Sequence, residues 1–98
     1  MTIKMDRNKT ELTITLAGRL DTMTAPELEA RLESSLAGVT KLYFELQDLE
    51  YISSAGLRVL LTALQIMEEQ GEMKIRHVSE SVMEIFEITG FLDWLEIE

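Results

Sequence analysis

The sequence predicts an α/β domain with a mixed, mostly parallel β-sheet that is opened by an antiparallel hairpin and carries its helices mainly on one face. Two segments of alternating polarity begin the chain, and segments of helical periodicity separate the later strand-like segments. Strands joined through helices pair in parallel with right-handed crossovers, whereas strands joined by a tight turn pair antiparallel. Because 98 residues suit one domain, we expect residues 1–98 to form a single folded unit.

The opening hairpin is predicted from two runs in which apolar and polar residues alternate. Residues 2–6 and 11–17 each place their apolar side chains on one side, which is typical of strands with one buried face. Between them, Arg7-Asn8-Lys9 predicts a turn, since asparagine tolerates a left-handed backbone. Gly18 is expected to end the second strand.

Capping residues and periodicity predict the remaining elements in the order β-β-α-β-α-β-α-β. Thr24 and Glu27 form a potential capping box for the first helix, with Pro26 in its first turn and Gly38 as its stop. The later elements are a central strand at 42–44, a helix at 54–70, a strand at 72–78, a helix from Ser81 to Gly90 and a strand at 94–97. One sheet face is expected to be partly hydrated because it carries Thr13, Thr15, Lys74 and Arg76.

Charge and composition exclude several classes of function. Nine basic and eighteen acidic residues give a net charge of −9, which argues against binding to a nucleic-acid backbone. The lack of cysteine excludes a disulfide framework and suits a reducing compartment. The first twenty residues lack a signal-peptide stretch, and no apolar run is long enough to span a membrane. We therefore expect a cytoplasmic protein, monomeric when free, that neither binds nucleic acid nor inserts into a membrane.

The sequence offers little support for catalysis. The single histidine, His77, lies at the end of a predicted strand without a local nucleophile or orienting carboxylate. Gly-rich phosphate loops and metal-ligand spacings are absent. We therefore expect no catalytic residue, no metal and no cofactor on this chain. A small hydrolase with Ser54 as nucleophile is an alternative that lacks an evident base.

The segment from Asp48 to Leu57 joins the central strand to the second helix through two serines and two small residues. The positive end of a helix dipole favours an anion here; the simpler interpretation is that Ser53 or Ser54 caps the helix and Gly56 packs closely on the sheet. Periodicity groups Ser54 with Arg58 on the polar side, so Ser54 should face solvent and Ser53 should point inward or act as the cap. The inward stripe is predicted to consist of Leu57, Leu60, Leu61 and Leu64.

At this segment the chain resembles the STAS domain family, and specifically the bacterial anti-sigma factor antagonists. The resemblance rests on Gly18-Arg19-Leu20-Asp21 with the helix start that follows, and on Asp48 to Gly56 continuing into Leu57-Arg58-Val59-Leu60-Leu61. The order of elements extends it over essentially all 98 residues, so it implies one STAS domain at 1–98.

The resemblance implies a cycle of partner switching. In that family the unphosphorylated antagonist binds an anti-sigma factor, which then releases a sigma factor to RNA polymerase. The anti-sigma factor is a serine kinase that uses ATP, so ATP is expected on the partner, and a serine phosphatase restores binding. Matched residue by residue, the resemblance implies that the phosphoacceptor is Ser54, with the adjacent Ser53 as the second choice. The implied partner-binding residues are Asp21, Thr22, Met23, Thr24, Ser53, Ser54, Ala55, Gly56 and Arg58.

One position departs from the family pattern. Ser53 stands where the family often has Asp, which leaves two adjacent serines as acceptors.

The alternative function is that of an unphosphorylated STAS subunit in a lipid or solute transport complex, which would dock onto a partner ATPase through the same helix face.

Overall fold

A computed structural model describes residues 1–98 and confirms a mixed sheet in the order β1-β2-β3-β4. β1 is antiparallel to β2, and the two remaining strand pairs are parallel. The strands are β1 (Thr2–Asn8), β2 (Glu11–Leu20), β3 (Lys41–Ile52) and β4 (Glu72–Arg76). The helices are α1 (Ala25–Ser35), α2 (Ser54–Gln70) and α3 (Glu80–Thr89), and a short 3-10 helix follows at Phe91–Asp93. None of them combines the length and apolarity that a membrane-spanning helix needs.

The apolar core lies between one face of the sheet and the three helices. Its largest fully buried side chains come from both layers and include Leu12, Ile14, Leu16, Leu28, Leu42, Phe44, Leu60 and Phe86. No polar or charged side chain is buried among them. Each fully buried leucine or phenylalanine contributes roughly 1.5–3 kcal/mol relative to an exposed one, so apolar burial is the main force that holds the helices on the sheet.

The opposite face of the sheet is partly hydrated, as predicted. Its threonines and basic residues are half-buried. Tyr43 is buried on this face beneath the Arg76 guanidinium, which lies 3.7 Å from the centre of the tyrosine ring. Arg76 also pairs with Glu98 at 3.2 Å. Long basic side chains thus cover the apolar surface that this face contains.

Several strand boundaries differ from the prediction. The left-handed residue of the first turn is Lys9, with φ of 59°, and not Asn8. β2 continues through Gly18 to Leu20, because register shifts let its last residues go on pairing with β3. α1 ends at Ser35, ahead of the expected stop.

The predicted C-terminal strand at 94–97 is wrong. After α3 the chain turns through the short 3-10 helix, leaves Trp94 exposed, and contacts the sheet through a single parallel bridge between Ile97 and Ile75. The alternation that suggested a strand therefore leads to one paired residue only.

The predicted start of α3 at Ser81 is also wrong. Ser79 is the N-cap and accepts a hydrogen bond from the Val82 N–H at 3.4 Å. The Ser81 hydroxyl instead donates to the Glu50 carbonyl at 3.0 Å, so a tertiary contact replaces the expected cap.

The C-terminal end of α1 is held by side chains from two distant elements. The Arg7 guanidinium, from β1, donates to the carbonyls of Ser35 and Ala37 at 3.3 and 3.1 Å. The Gln70 amide, from the end of α2, donates to two further carbonyls in this region at 2.9 and 2.8 Å. These donors satisfy carbonyls of the last residue of α1 and of the turn that follows it.

Gly71, between α2 and β4, is expected to tolerate no side chain. A Cβ atom there would collide with the main-chain carbonyl of Thr40. Gly71→Ala should therefore lower the free energy of unfolding by about 3 kcal/mol. Gly90→Ala is the control, because its Cβ would meet no atom within 4 Å and only the left-handed backbone should cost about 1 kcal/mol. Urea denaturation of both variants would test this, and equal losses would contradict it.

Candidate functional site

The candidate site forms where β3 leads into α2, next to the end of β2. The Ser53 N–H donates to the Leu20 carbonyl at 2.9 Å. A Cβ on Gly56 would lie 2.7 Å from Leu20 Cγ and 2.8 Å from Ile52 Cγ1. The predicted close packing of Gly56 on the sheet is thus confirmed, and it allows the first turn of α2 to lie directly against both strand ends.

The two adjacent serines have different environments. Ser53 is half-buried, and its hydroxyl caps α2 by accepting the Gly56 N–H at 3.3 Å. Ser54 is the first residue of α2 and is exposed, and its hydroxyl forms no hydrogen bond within the protein. The expected orientation, with Ser53 as the cap and Ser54 facing solvent, is confirmed.

The buried face of α2 is shifted from the predicted leucine stripe. Leu61 and Leu64 are only half-buried, whereas Val59, Ala63 and Met67 are buried. The shift arises because α2 packs against α1 as well as against the sheet. The polar side of the helix is placed as expected.

Asp21 organises the loop that precedes α1. Its Oδ1 accepts the N–H groups of Met23 and Thr24 at 3.0 and 3.1 Å. The Thr24 hydroxyl accepts the Asp21 N–H at 2.9 Å and donates to the Arg19 carbonyl at 2.8 Å. Thr24 therefore occupies the N-cap position without bonding to the helix, and the predicted capping box with Glu27 is wrong.

The pKa of the Asp21 carboxyl is lower than usual. Partial burial alone would raise this pKa, but the N–H groups of Thr24 and Met23 and the nearby Arg19 guanidinium outweigh the effect of burial. The Arg19 Nε lies 3.9 Å from Asp21 Oδ2. Asp21 is therefore negatively charged at neutral pH, at the end of the strand whose last carbonyl binds Ser53.

A groove of about 230 Å³ separates the start of α1 from the start of α2. It brings together Thr22, Ala55 and Arg58, three of the residues predicted for partner binding. Arg58 is exposed and forms no ion pair within the protein. Met23, in the loop before α1, is 87% exposed. The groove and its borders thus offer a partner the unpaired guanidinium of Arg58 and the exposed side chain of Met23.

Two residues of the site were missed by the sequence reasoning. The Arg19 guanidinium lies 4.4 Å from the centre of the Tyr51 ring, and Tyr51 is one of the few exposed large hydrophobic residues. Their contact follows from the pairing of Arg19 with Tyr51 across β2 and β3. Both residues lie in the segments that carry the family resemblance, but only the strand register shows that they meet.

His77 forms a separate polar cluster. Its Nδ1 pairs with the Glu45 carboxylate, and the pair lines a shallow pocket with Thr15, Gln47 and Asp48. No serine lines this pocket, and the structure does not pair His77 with Ser54. No group of three or more His, Asp or Glu side chains is arranged to hold a metal ion.

The fold and this strand-to-helix junction define the class of protein: the chain belongs to the STAS domain family, whose model matches residues 2–98. BtrV of Bordetella bronchiseptica is 40% identical over 94 residues, covering 94% of this chain and 81% of that protein. The anti-sigma-B factor antagonist of Bacillus subtilis is 30% identical over 100 residues, covering 99% of this chain and 92% of that protein.

Solved structures agree with this fold. An anti-sigma factor antagonist from Mycobacterium paratuberculosis has a TM-score of 0.87 at 18% identity, covering 98% of this chain and 83% of that one. Unphosphorylated SpoIIAA, an anti-sigma factor antagonist, has a TM-score of 0.77 at 16% identity, covering 99% of this chain and 87% of that one. At these identities the likeness shows the fold alone, and it confirms the expected STAS-like architecture.

The unequal roles of the two serines lead to unequal effects on stability. Ser53→Ala removes the cap of α2 and should lower the free energy of unfolding by about 1 kcal/mol. Ser54→Ala removes a hydroxyl without a partner and should change it by less than about 0.5 kcal/mol. Chemical denaturation of the two variants would measure the difference, and a larger loss for Ser54→Ala would contradict the assignment.

The lowered pKa of Asp21 makes its contribution to stability dependent on pH. Because the pKa in the folded state lies below the ordinary aspartate value of 3.8, the ionised carboxylate stabilises the fold above that pH. The contribution should disappear as the pH falls through the folded pKa. Asp21→Asn keeps an acceptor oxygen but not the charge, so its stability deficit should be full at pH 7 and vanish in acid. Urea denaturation across this pH range is the measurement, and a deficit independent of pH would contradict the charge argument.

Proposed function

We propose that this chain is an anti-sigma factor antagonist that acts by partner switching. Unphosphorylated, it binds an anti-sigma factor that is also a serine kinase; phosphorylation of Ser54 releases it, and a phosphatase restores binding. Membership of the STAS family and a relative named as an anti-sigma-B factor antagonist support the antagonist function. The observation that carries the proposal is the exposed, unbonded Ser54 hydroxyl at the start of α2.

Ser54 suits a kinase better than Ser53 does. A transferred phosphoryl group must meet an acceptor oxygen held in line with the leaving group, which requires a hydroxyl free to enter the active site of the kinase. The Ser53 hydroxyl is half-buried and occupied as the helix cap. To act as the acceptor, the Ser53 hydroxyl would first have to leave its position against the Gly56 N–H and enter the kinase. A solved SpoIIAA structure is described as its phosphorylated form, which supports a modification of this kind.

The proposed partner surface combines the Asp21–Thr24 loop with the first turn of α2. Met23 supplies an exposed, flexible thioether side chain that adapts to a partner surface. Tyr51, held by the stacked Arg19, adds an aromatic side chain beside the loop. Gly56 is buried, so its part in this surface is to position the helix.

The switch can be explained by the charge of the phosphate. A phosphoserine adds about −1.5 to −2 charges at neutral pH. In the free domain, the start of α2 would stabilise that charge by roughly 0.3–1 kcal/mol, so the fold is retained. In a docked interface the phosphate must lose its water, which costs several kcal/mol when no matched cation is present. The Asp21 carboxylate in the neighbouring loop adds repulsion, and a loss of about 3 kcal/mol weakens binding roughly a hundredfold.

Phosphate mapping tests the acceptor. The wild-type protein and the Ser53→Ala and Ser54→Ala variants are incubated with the candidate anti-sigma factor kinase and Mg-ATP, then mapped by mass spectrometry. Wild type and Ser53→Ala should gain one phosphate on Ser54, and Ser54→Ala should gain none. Phosphate on neither serine of the wild-type protein would reject the cycle and favour the unphosphorylated transport subunit.

A pair of matched variants tests the charge argument. Ser54→Asp introduces a negative charge and should weaken binding to the kinase at least about tenfold. Ser54→Asn has nearly the same shape without the charge and should bind within about threefold of the wild-type protein. Isothermal titration calorimetry gives both affinities. Equal binding by the two variants would show that charge is not what releases the partner.

A further inference from the structure

A second groove lies along the C-terminal half of α2, away from Ser54. Its volume is about 210 Å³, and it is bounded by α2, the start of β4 and the C-terminal segment around Trp94; we call it the Trp94 groove. Glu68, which lines it, is fourteen positions along the helix from Ser54, or about 20 Å. The two grooves share no lining residue.

The floor and one wall of the Trp94 groove are apolar. Met67 and Met73 line it as buried side chains, and Leu64 is half-buried beside them. Trp94 is the only tryptophan of the chain, and 66% of its surface is exposed. The groove therefore presents the exposed Trp94 indole beside the half-buried Leu64, and both suit contact with an aliphatic stem and a cation; the two methionines lie beneath this surface.

The rim of the groove is acidic. Glu68 and Glu72 line it and form no ion pair within the protein. Glu96 also lines it and has a cation nearby, Lys74, at 3.8 Å. No basic residue lines the groove. Two unpaired carboxylates beside an exposed indole thus match a positively charged group carried on an apolar stem.

We propose that the Trp94 groove is a second docking surface, which takes an arginine or lysine side chain from a basic segment of a partner protein. The stem of that side chain lies over Leu64 and against Trp94, while its charged end reaches Glu68 and Glu72. A second copy of this chain is a poor occupant because two molecules with a net charge of −9 repel each other. The proposal does not depend on phosphorylation of Ser54.

The methionines make the test specific to the site. The protein is labelled with ¹³C at its methionine methyl groups and titrated at low salt with the tripeptide acetyl-Ala-Arg-Ala-amide. The Met67 and Met73 methyl signals should shift in a saturable manner because both side chains lie directly beneath the groove, and those of Met5 and Met23, which do not line it, should not. The same peptide with citrulline in place of arginine has nearly the same shape without the charge, and it should cause no saturable shift. Equal shifts at all four methionines, or equal binding of the two peptides, would overturn the proposal.

Matched variants distinguish binding in the Trp94 groove from a general effect of the net charge on peptide affinity. Glu68→Gln combined with Glu72→Gln, and separately Trp94→Ala, should each weaken binding of the arginine peptide about three- to tenfold. The control pair, Glu11→Gln with Glu33→Gln, removes the same charge from exposed residues outside the groove and should leave the affinity unchanged. Unchanged Met5 and Met23 signals verify the fold in each variant. An equal loss in the control pair, or wild-type affinity in Trp94→Ala, would overturn the proposal.

Discussion

The hydrogen bond from the Ser53 N–H to the Leu20 carbonyl joins the ends of β2 and β3 where both strands leave the sheet. Because these strands are parallel, the loop that follows β2 and the helix that follows β3 emerge at the same edge. Gly56 then lets the helix start in direct contact with both strand ends. The relative position of the Asp21 loop and the Ser54 hydroxyl depends on this short main-chain contact, and with it the surface proposed for the partner.

Features that depend on neighbouring residues were predictable from the sequence. The limits of α2 at Ser54 and Gln70 were predicted as observed, and so was the outward direction of Ser54. The caps of the other two helices were not, because hydroxyl groups have several acceptors within reach in a folded chain. Thr24 bonds to its own loop and Ser81 bonds to the end of β3, where each finds a partner that no local pattern describes.

Features that depend on strand register could not be predicted from the sequence. The contact between Arg19 and Tyr51 exists because β2 shifts its register after Gly18, and alternation alone does not reveal such a shift. In the C-terminal segment, by contrast, alternation predicted a strand that does not form. Its alternation around Trp94 was real, but only Ile97 reaches the edge of β4, so the pattern produced a bridge instead of a strand.

The contacts that hold the far end of α1 have a consequence for how a signal can pass through the domain. Arg7 and Gln70 bind one end of this helix, while the Asp21 loop, itself tied by hydrogen bonds, leads into the other end. Because both ends of α1 are held by hydrogen bonds, this helix is not expected to change its orientation when the exposed Ser54 gains a phosphate. In the proposed cycle the domain would therefore keep its conformation on phosphorylation, and the partner would respond to the changed charge of its surface.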